Sequence, residues 1–278
     1  MLAACMPSPA GAPAPSHTAS LVNKGSDTMV NLALAWAETY HGVRPELSLA
    51  VTGGGSGTGI AALINNTVDI ANASRAIKPE ELADAEAHGV RPVEFVVARD
   101  AIAVLVHRSN PVDHLSLDQI SRIYAGEISN WAEVGGENRP IVRLSRETNS
   151  GTHVYFLEEV LRLGQKDNST LFSPDTLLLP SSEGITAELA YNRNAIGYDG
   201  LGYVTDDVKV LAIAANPSGP YLLPSAASVN DGTYPIARDL YMYTAGQPTP
   251  EAQAYLAWIV GLEGQAIVTE LGFVPVKS

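Results

Sequence analysis

Short runs rich in β-forming residues alternate along the chain with segments of helical periodicity, and this alternation most constrains the fold. Such a pattern is typical of α/β layers in which most neighbouring strands are parallel. Strands are predicted at Leu47–Thr52, Asp69–Ser74, Val93–Ala98, Ala101–His107, Ile141–Ser145 and Val210–Ala214. Helices are predicted at Asp27–Tyr40, Gly57–Asn66, Pro79–Ala87, Ser116–Tyr124, Gly151–Leu163, Glu183–Asn192 and Pro250–Leu262.

The first twenty residues depart from this pattern. They are rich in Pro, Ala and Ser and have no apolar period, so residues 1–20 are predicted to be a flexible tether, with the folded body starting near Leu21. Within the tether, Leu2-Ala3-Ala4-Cys5 resembles the end of a bacterial lipoprotein signal, where small residues precede a lipidated cysteine. Cys5 is therefore predicted to carry a lipid anchor; an unmodified cysteine is the alternative.

Charge and cysteine content exclude several classes of protein. Lys and Arg number 17 against 30 Asp and Glu, and the net charge of −13 is too acidic for a protein that coats nucleic acid or an anionic membrane surface. One cysteine excludes an intrachain disulfide and a cysteine-based zinc site, and no run of ~18 uncharged apolar residues is present to cross a bilayer. We expect a soluble mature chain that meets a membrane only through a lipid anchor.

Three segments share a design in which a strand leads into a Gly/Ser/Thr turn and then a helix: Lys24–Thr28, Gly53–Gly59 and Arg146–Thr152. Each helix start presents unpaired N–H groups and the positive end of the helix dipole, an arrangement suited to an anion. Ordinary N-capping is the alternative for each loop taken singly. The three loops together favour an anion site.

The second loop also indicates the size of the anion. Five of the seven residues in Gly53–Gly59 are glycine, which costs more backbone entropy than a helix cap requires. No Lys-Ser/Thr follows, and the spacing never satisfies G-x-G-x-x-G, so a small anion fits better than a nucleotide. Arg146 supplies a planar fork for an oxyanion, and Arg75 follows a predicted strand at the edge where α/β sheets place ligands.

These motifs resemble a known family. From Leu21 to the C-terminus the chain is similar to the phosphate-binding proteins (PstS-like) of bacterial ABC phosphate importers. The matching stretches are Gly25-Ser26-Asp27-Thr28, Gly55-Ser56-Gly57-Thr58-Gly59, Asn66-Thr67-Val68-Asp69-Ile70, Ala73-Ser74-Arg75, Ile123-Tyr124-Ala125-Gly126, Asn130-Trp131, Arg146 with Ser150-Gly151-Thr152, Ile196-Gly197-Tyr198 and Pro235-Ile236-Ala237-Arg238.

The resemblance implies an α/β, two-lobed type II periplasmic-binding-protein fold, with a mixed, mainly parallel sheet in each lobe and a hinge of crossing strands. The crossings are expected near Asp100–His107 and Ile236–Tyr243, which makes residues 21–102 plus 237–278 lobe one and residues 103–236 lobe two. The implied phosphate-binding residues are Ser26, Asp27, Thr28, Ser56, Gly57, Ser74, Arg75, Arg146, Ser150, Gly151 and Thr152.

The implied function is high-affinity binding of inorganic phosphate outside the cytoplasm, in the periplasm or at the outer face of the cell membrane, for delivery to the membrane components of an ABC importer. The protein would act as a monomer without a cofactor. Another tetrahedral oxyanion such as sulfate or molybdate, a phosphate-dependent hydrolase and a surface sensor are the alternatives. Against a hydrolase, the six histidines form no metal-binding pair, and no base is placed by sequence to activate Ser26, Ser56 or Ser150.

One departure from the family pattern concerns Asp27 and Arg75. Well-known members have an aspartate at the position of Arg75, and it accepts the proton of hydrogen phosphate and so rejects sulfate. Here Asp27 is predicted either to take over as that acceptor or to cap its own helix. Glu147 is predicted either to orient and partly neutralise Arg146 or to be a solvated surface residue. His153 is predicted to be a histidine on a helix face.

Overall fold

The structure, a computed structural model, describes residues 19–276. Within that range the chain forms strands and α-helices in alternation. The strands are β1 (Ala19–Gly25), β2 (Leu47–Thr52), β3 (Ile70–Ala73), β4 (Val93–His107), β5 (His114–Ser116), β6 (Val142–Arg146), β7 (Leu177–Leu179), β8 (Ala195–Gly200), β9 (Val208–Val210), β10 (Ala212–Ala214) and β11 (Ala237–Thr244). The α-helices are α1 (Val30–Val43), α2 (Ser56–Ile64), α3 (Pro79–Ala87), α4 (Leu117–Ala125), α5 (Gly151–Tyr155), α6 (Ser182–Tyr191), α7 (Ala226–Asn230), α8 (Pro250–Ile259) and α9 (Leu262–Glu270).

Strand pairing divides the sheet into two parallel blocks joined by antiparallel strands. The order is β2-β1-β3-β11-β4-β8-β6-β7, with β9 also paired to β4. Strand β1 is parallel to β2 and β3, and β6 is parallel to β7 and β8. Between these blocks, β11 and β4 pair antiparallel to each other and to their outer neighbours β3 and β8. We call the block around β1–β3 lobe one and the block around β6–β8 lobe two.

Strand β4 passes without a break from one lobe to the other. Its first half pairs with β11 and its second half, from Ile102, pairs with β8. The prediction of two separate strands here was wrong. Arg99 and Asp100 interrupt the apolar run, but the ladder continues because each lies opposite a residue of opposite charge on β11, Asp239 and Arg238.

Separate hydrophobic cores lie on the two sides of these crossing strands. In lobe one, Trp36 of α1 packs with Met242 and Tyr255. In lobe two, Tyr124 and Phe156 pack with Tyr198, and the rings of Phe156 and Tyr198 stack 3.5 Å apart. Hydrophobic cores on both sides, joined by crossing strands, confirm the predicted two-lobed α/β fold.

The predicted ends of helix α4 are confirmed. The Ser116 hydroxyl accepts the Gln119 N–H at 3.2 Å, and Gly126 ends α4 in the left-handed conformation, as the capping box and the glycine predict. The helix predicted over Gly151–Leu163 is α5 followed by a π-helical turn at Phe156–Leu161.

No helix among residues 19–276 is both long and apolar enough to span a bilayer.

The folded body begins earlier than predicted. Ala19 and Ser20 already pair with Leu47 and Ser48, since β1 is the strand between β2 and β3. The rest of the predicted tether, with Cys5, lies outside the described residues.

Candidate anion-binding site

The three Gly/Ser/Thr loops meet between the lobes. Each follows a parallel strand, β1, β2 or β6, so each leaves the sheet at a carboxyl end. The second and third loops touch directly: the Gly57 N–H donates to the Asn149 carbonyl at 3.1 Å, and Asn149 Nδ2 donates to the Gly54 carbonyl at 3.0 Å. The structure therefore has the lobes in contact across the site.

Two lobe-one hydroxyls face the start of α5. Ser56 Oγ accepts the Ser74 N–H at 3.0 Å and lies 3.3 Å from Ser74 Oγ. A Cβ added to Gly151 would lie only 2.3 Å from Ser56 Oγ and 2.6 Å from Ser74 Oγ. Glycine is therefore required at position 151 for this close approach. The neighbouring Ser150 caps α5 by accepting the Thr152 N–H at 3.2 Å.

A second contact between the lobes joins two threonines. Thr28 Oγ1 and Thr152 Oγ1 are buried and lie 2.8 Å apart. Arg238 Nη2 lies beside both, 3.0 Å from Thr152 Oγ1 and 3.4 Å from Thr28 Oγ1. Ser26 is also buried here, and its backbone N–H donates to the Asn72 carbonyl at 2.9 Å.

Arg146 connects the lobes through Asp27. Its Nη2 lies 2.8 Å from Asp27 Oδ2 and 2.9 Å from the Pro180 carbonyl, while Nη1 donates to Ser182 Oγ at 2.7 Å. The other Asp27 oxygen, Oδ1, accepts the Gly54 N–H at 2.9 Å. Bonds to the charged group from both lobes make Asp27 the polar centre of the contact.

For two residues these contacts exclude one of the predicted alternatives. The Asp27 carboxylate does not cap its own helix, because the short 3₁₀ turn Asp27–Met29 that precedes α1 has no side-chain cap. Glu147 is exposed, and among the described residues the carboxylate that neutralises Arg146 belongs to Asp27.

Arg75 is also at the site but is engaged within its own lobe. The side chain is buried, and Nη1 and Nη2 donate to the two carboxylate oxygens of Glu81 at 2.7 and 2.6 Å. Burial would raise the pKa of Glu81, but the hydrogen bonds from Arg75 and from the Lys78 N–H outweigh it and lower that pKa. Of the Arg75 nitrogens, buried Nε has no partner among residues 19–276.

Each arginine at the site is matched by a carboxylate. The pairs are Arg75–Glu81, Arg146–Asp27 and Arg238–Asp100. The arginine charges are therefore largely cancelled, and the site offers oriented N–H and O–H donors rather than an excess of positive charge. Such donors act over a few ångströms, so anion binding is compatible with the net charge of −13.

Asp199 forms a second layer behind Arg146. It is fully buried, and Oδ1 accepts from Ser182 Oγ at 2.9 Å and from the Gly200 N–H at 2.7 Å. The other oxygen, Oδ2, has no hydrogen-bond partner among residues 19–276. Burial raises the pKa of Asp199 to about 6, although the Arg146 charge opposes the rise.

Sequence reasoning assigned no role to several of these residues. They are Asp100, Asn149, Ser182, Asp199 and Arg238. Arg238 lies in one of the matching stretches, which was the only signal available. Asn149 lies in the third loop, whose motif gave this residue no role of its own, and the remaining three depend on contacts between distant parts of the chain.

His153 belongs to the core of lobe two. It lies on α5 as predicted, is buried, and its Nδ1 is 3.0 Å from Ser145 Oγ. Burial lowers the pKa of His153 and so favours its neutral form. No group of three His, Cys, Asp or Glu side chains within residues 19–276 is placed to hold a metal ion.

Two α/β lobes that meet over hydroxyls, amides and paired arginines define a two-lobed binding protein for a small anion. A profile of the PBP superfamily domain matches residues 11–263. The chain is 30% identical to the phosphate-binding protein PstS of Pseudomonas aeruginosa over 276 residues, which cover 93% of this chain and 84% of that protein. It is 32% identical to PstS of Bacillus subtilis over 260 residues, covering 93% and 81%. The chain belongs to the PBP superfamily and, within it, to the PstS family.

Solved structures give the same assignment. A putative phosphate ABC transporter substrate-binding protein from Clostridium perfringens, solved with bound phosphate, is 30% identical and superimposes with a TM-score of 0.83, covering 93% of this chain and 100% of that one. An ABC-type phosphate transport receptor from Vibrio cholerae is 26% identical with a TM-score of 0.73, covering 92% and 100%.

Proposed function

We propose that this protein binds inorganic phosphate with high affinity outside the cytoplasm and delivers it to the membrane components of an ABC importer. One observation carries the proposal: hydrogen-bonding groups from both lobes meet at one buried place, where Thr28 lies against Thr152 and Ser56 against Gly151. An anion bound at this place accepts hydrogen bonds from groups of both lobes. Its affinity for the closed form then shifts the equilibrium toward closure.

The donors come from both lobes. Lobe one contributes Ser26, Thr28, Ser56, Gly57, Ser74 and Arg75, and lobe two contributes Arg146, Ser150, Gly151 and Thr152. Hydroxyls and N–H groups donate to the phosphate oxygens, and the start of α5 adds the positive end of its dipole.

Asp27 is the proposed acceptor for the proton of hydrogen phosphate. Each carboxylate oxygen can accept more than one hydrogen bond, and here each already accepts one N–H, Oδ1 from Gly54 and Oδ2 from Arg146. A lone pair remains for the phosphate proton. Sulfate, which carries no proton near neutral pH, meets the same lone pair unpaired and is disfavoured.

The proposal extends to the division of the chain into lobes and to where the protein acts. We assign residues 21–102 and 237–278 to lobe one and residues 103–236 to lobe two; Tyr203, from the second range, packs in the lobe-one core and donates to the Asp27 carbonyl at 2.7 Å. The protein acts as a monomer, at the outer face of the membrane or in the periplasm, and Cys5 carries the lipid that anchors it.

Calorimetric titration with phosphate, arsenate, sulfate and molybdate tests the function. We expect tight binding of phosphate, similar binding of arsenate, and much weaker binding of the other two anions. Small-angle scattering on the same samples should show compaction on addition of phosphate. Tighter binding of sulfate or molybdate than of phosphate would transfer the proposal to that anion, and binding of none would overturn it.

A further inference from the structure

Arg238 and Asp100 face each other on the two strands that cross between the lobes. They are register partners in the β11–β4 ladder, and both are buried. Asp100 Oδ2 accepts from Arg238 Nη2 at 2.9 Å and from Nε at 3.2 Å, and Oδ1 accepts the Leu201 N–H at 3.0 Å. The Arg238 guanidinium is therefore fixed to the hinge and not to a loop of either lobe.

From the hinge, this guanidinium touches one hydroxyl of each lobe. Its Nη2 lies 3.0 Å from Thr152 Oγ1 in lobe two and 3.4 Å from Thr28 Oγ1 in lobe one. The two hydroxyls are 2.8 Å from each other. Both contacts exist together only when the lobes are closed, because the two threonines belong to opposite lobes.

In these contacts the Arg238 guanidinium is the donor and the threonine hydroxyls are the acceptors. A hydroxyl has one proton to donate and two lone pairs, whereas a guanidinium has donors only. Arg238 can therefore contact Thr28 and Thr152 only through their lone pairs. The contact with Arg238 therefore uses neither hydroxyl proton. Without an anion, one of the two protons makes the bond between the hydroxyls; the oxygens of a bound anion can accept both.

We propose that Arg238 is a positioning residue for phosphate binding. Held by Asp100 on the hinge, it occupies lone pairs of the Thr28 and Thr152 hydroxyls, so that in the closed form both O–H groups donate to the anion. This role rests on the proposed function and adds to it a residue on the hinge that links closure to the orientation of two donors.

The test is a double-mutant cycle read by phosphate titration. Removal of Arg238 alone would leave Asp100 buried and unpaired, so the hinge variant is Arg238→Met combined with Asp100→Asn, which removes both charges. The second variant is Thr28→Val combined with Thr152→Val, which keeps the side-chain shape without the hydroxyl. We expect each to weaken phosphate binding about ten- to a hundredfold, and all four substitutions together to weaken it by clearly less than the product.

A neighbouring pair on the same strands provides the matched control. Arg99 and Asp239 are also register partners of β4 and β11, with Nε and Oδ1 3.2 Å apart, but their side chains are more than a third exposed. Arg99→Met with Asp239→Asn should leave phosphate binding within about twofold of the wild type. Circular dichroism and thermal unfolding report whether each variant folds.

Each outcome decides the inference. If the wild type binds no phosphate, the proposed function itself fails. If the wild type binds and the hinge variant binds equally well, or if the two losses multiply, Arg238 does not act through the threonines. Should the hinge variant not fold, Arg238→Lys replaces it: the charge stays opposite Asp100 but the fork is lost, and unchanged affinity would overturn the inference.

Discussion

Arg75 and Arg146 invite comparison, because each lies at the carboxyl end of a strand and each is buried against a carboxylate. Arg75 is paired with Glu81, six residues further along the same lobe. Arg146 is paired with Asp27, which is 119 residues away in the opposite lobe. Opening of the lobes leaves the first pair intact and breaks the second. The location of the partner, not the arginine itself, decides which of the two can respond to closure.

The energetic consequence follows from burial. A buried ion pair that loses one partner is destabilised by about 3–5 kcal/mol, because a desolvated charge remains. Arg146 and Asp27 lie in opposite lobes, so their pairing belongs to the closed form. The Arg75–Glu81 pair instead contributes to the stability of lobe one, whether the lobes are open or closed.

The largest expected effect comes from Arg146. Arg146→Ala removes a charge-assisted donor and the contact to Asp27, and we expect phosphate binding to weaken at least about a hundredfold. Arg75→Ala should weaken binding less than about tenfold and act mainly on stability, since its partner Glu81 belongs to the same lobe and this variant removes no pairing between the lobes. Calorimetric titration and thermal unfolding of both variants measure the difference. Equal losses of affinity would contradict the larger contribution of Arg146 to phosphate binding.

Gly151 tests whether the close approach of the lobes is needed. In Gly151→Ala the new methyl group would overlap Ser56 Oγ, so the lobes cannot close fully. We expect about a hundredfold weaker phosphate binding and loss of the compaction seen by small-angle scattering. Gly184→Ala is the matched control, because Gly184 also lies in the first turn of a lobe-two helix and its added Cβ meets nothing closer than 3.4 Å. Normal compaction of Gly151→Ala would contradict the assignment.

A variant of Asp27 tests whether the carboxylate that pairs with Arg146 also decides between phosphate and sulfate. Asp27→Asn replaces an acceptor by an amide that can also donate, so the repulsion of sulfate is relieved. One charge-assisted hydrogen bond of ~1.5–3 kcal/mol corresponds to a gain for sulfate relative to phosphate of roughly ten- to a hundredfold. A competition titration gives the ratio directly. If both anions bind more weakly but the ratio of their affinities is unchanged, Asp27 pairs with Arg146 but does not accept the phosphate proton.

The smallest effect on binding is expected from Asp199, whose contact with the site runs through the Ser182 hydroxyl. Since its pKa is about 6 in the folded protein and 3.8 is its ordinary value, the folded state holds the proton more tightly. The resulting stability is present below pH ~4 and is lost as pH rises through ~6, by about 3 kcal/mol at ~1.4 kcal/mol per pKa unit.

Asp199→Asn removes this titration. The free energy of unfolding of the variant, relative to the wild type, should therefore rise by about 3 kcal/mol between pH 4 and pH 8. Urea unfolding at the two pH values measures it, with Asp206→Asn, at an exposed position, as the control. A difference that does not depend on pH would mean that Asp199 keeps an ordinary pKa.

Patterns within a few residues were sufficient for part of this molecule. The Ser116–Gln119 capping box with Gly126 predicted both ends of α4. Such features can be predicted because the interacting groups are neighbours along the chain. The α/β class follows similarly, since alternating periodicities require layered strands and helices.

The continuous crossing strand β4 and the partners of the arginines were decided by tertiary structure. Arg99 and Asp100 look like a break in an apolar strand until β11, more than a hundred residues away, places opposite charges beside them. Asp27 could have been a helix cap as far as the sequence indicated, yet its carboxylate binds Gly54 and Arg146 instead. A charged side chain takes the partner that best compensates its desolvation, and folding brings that partner from elsewhere in the chain.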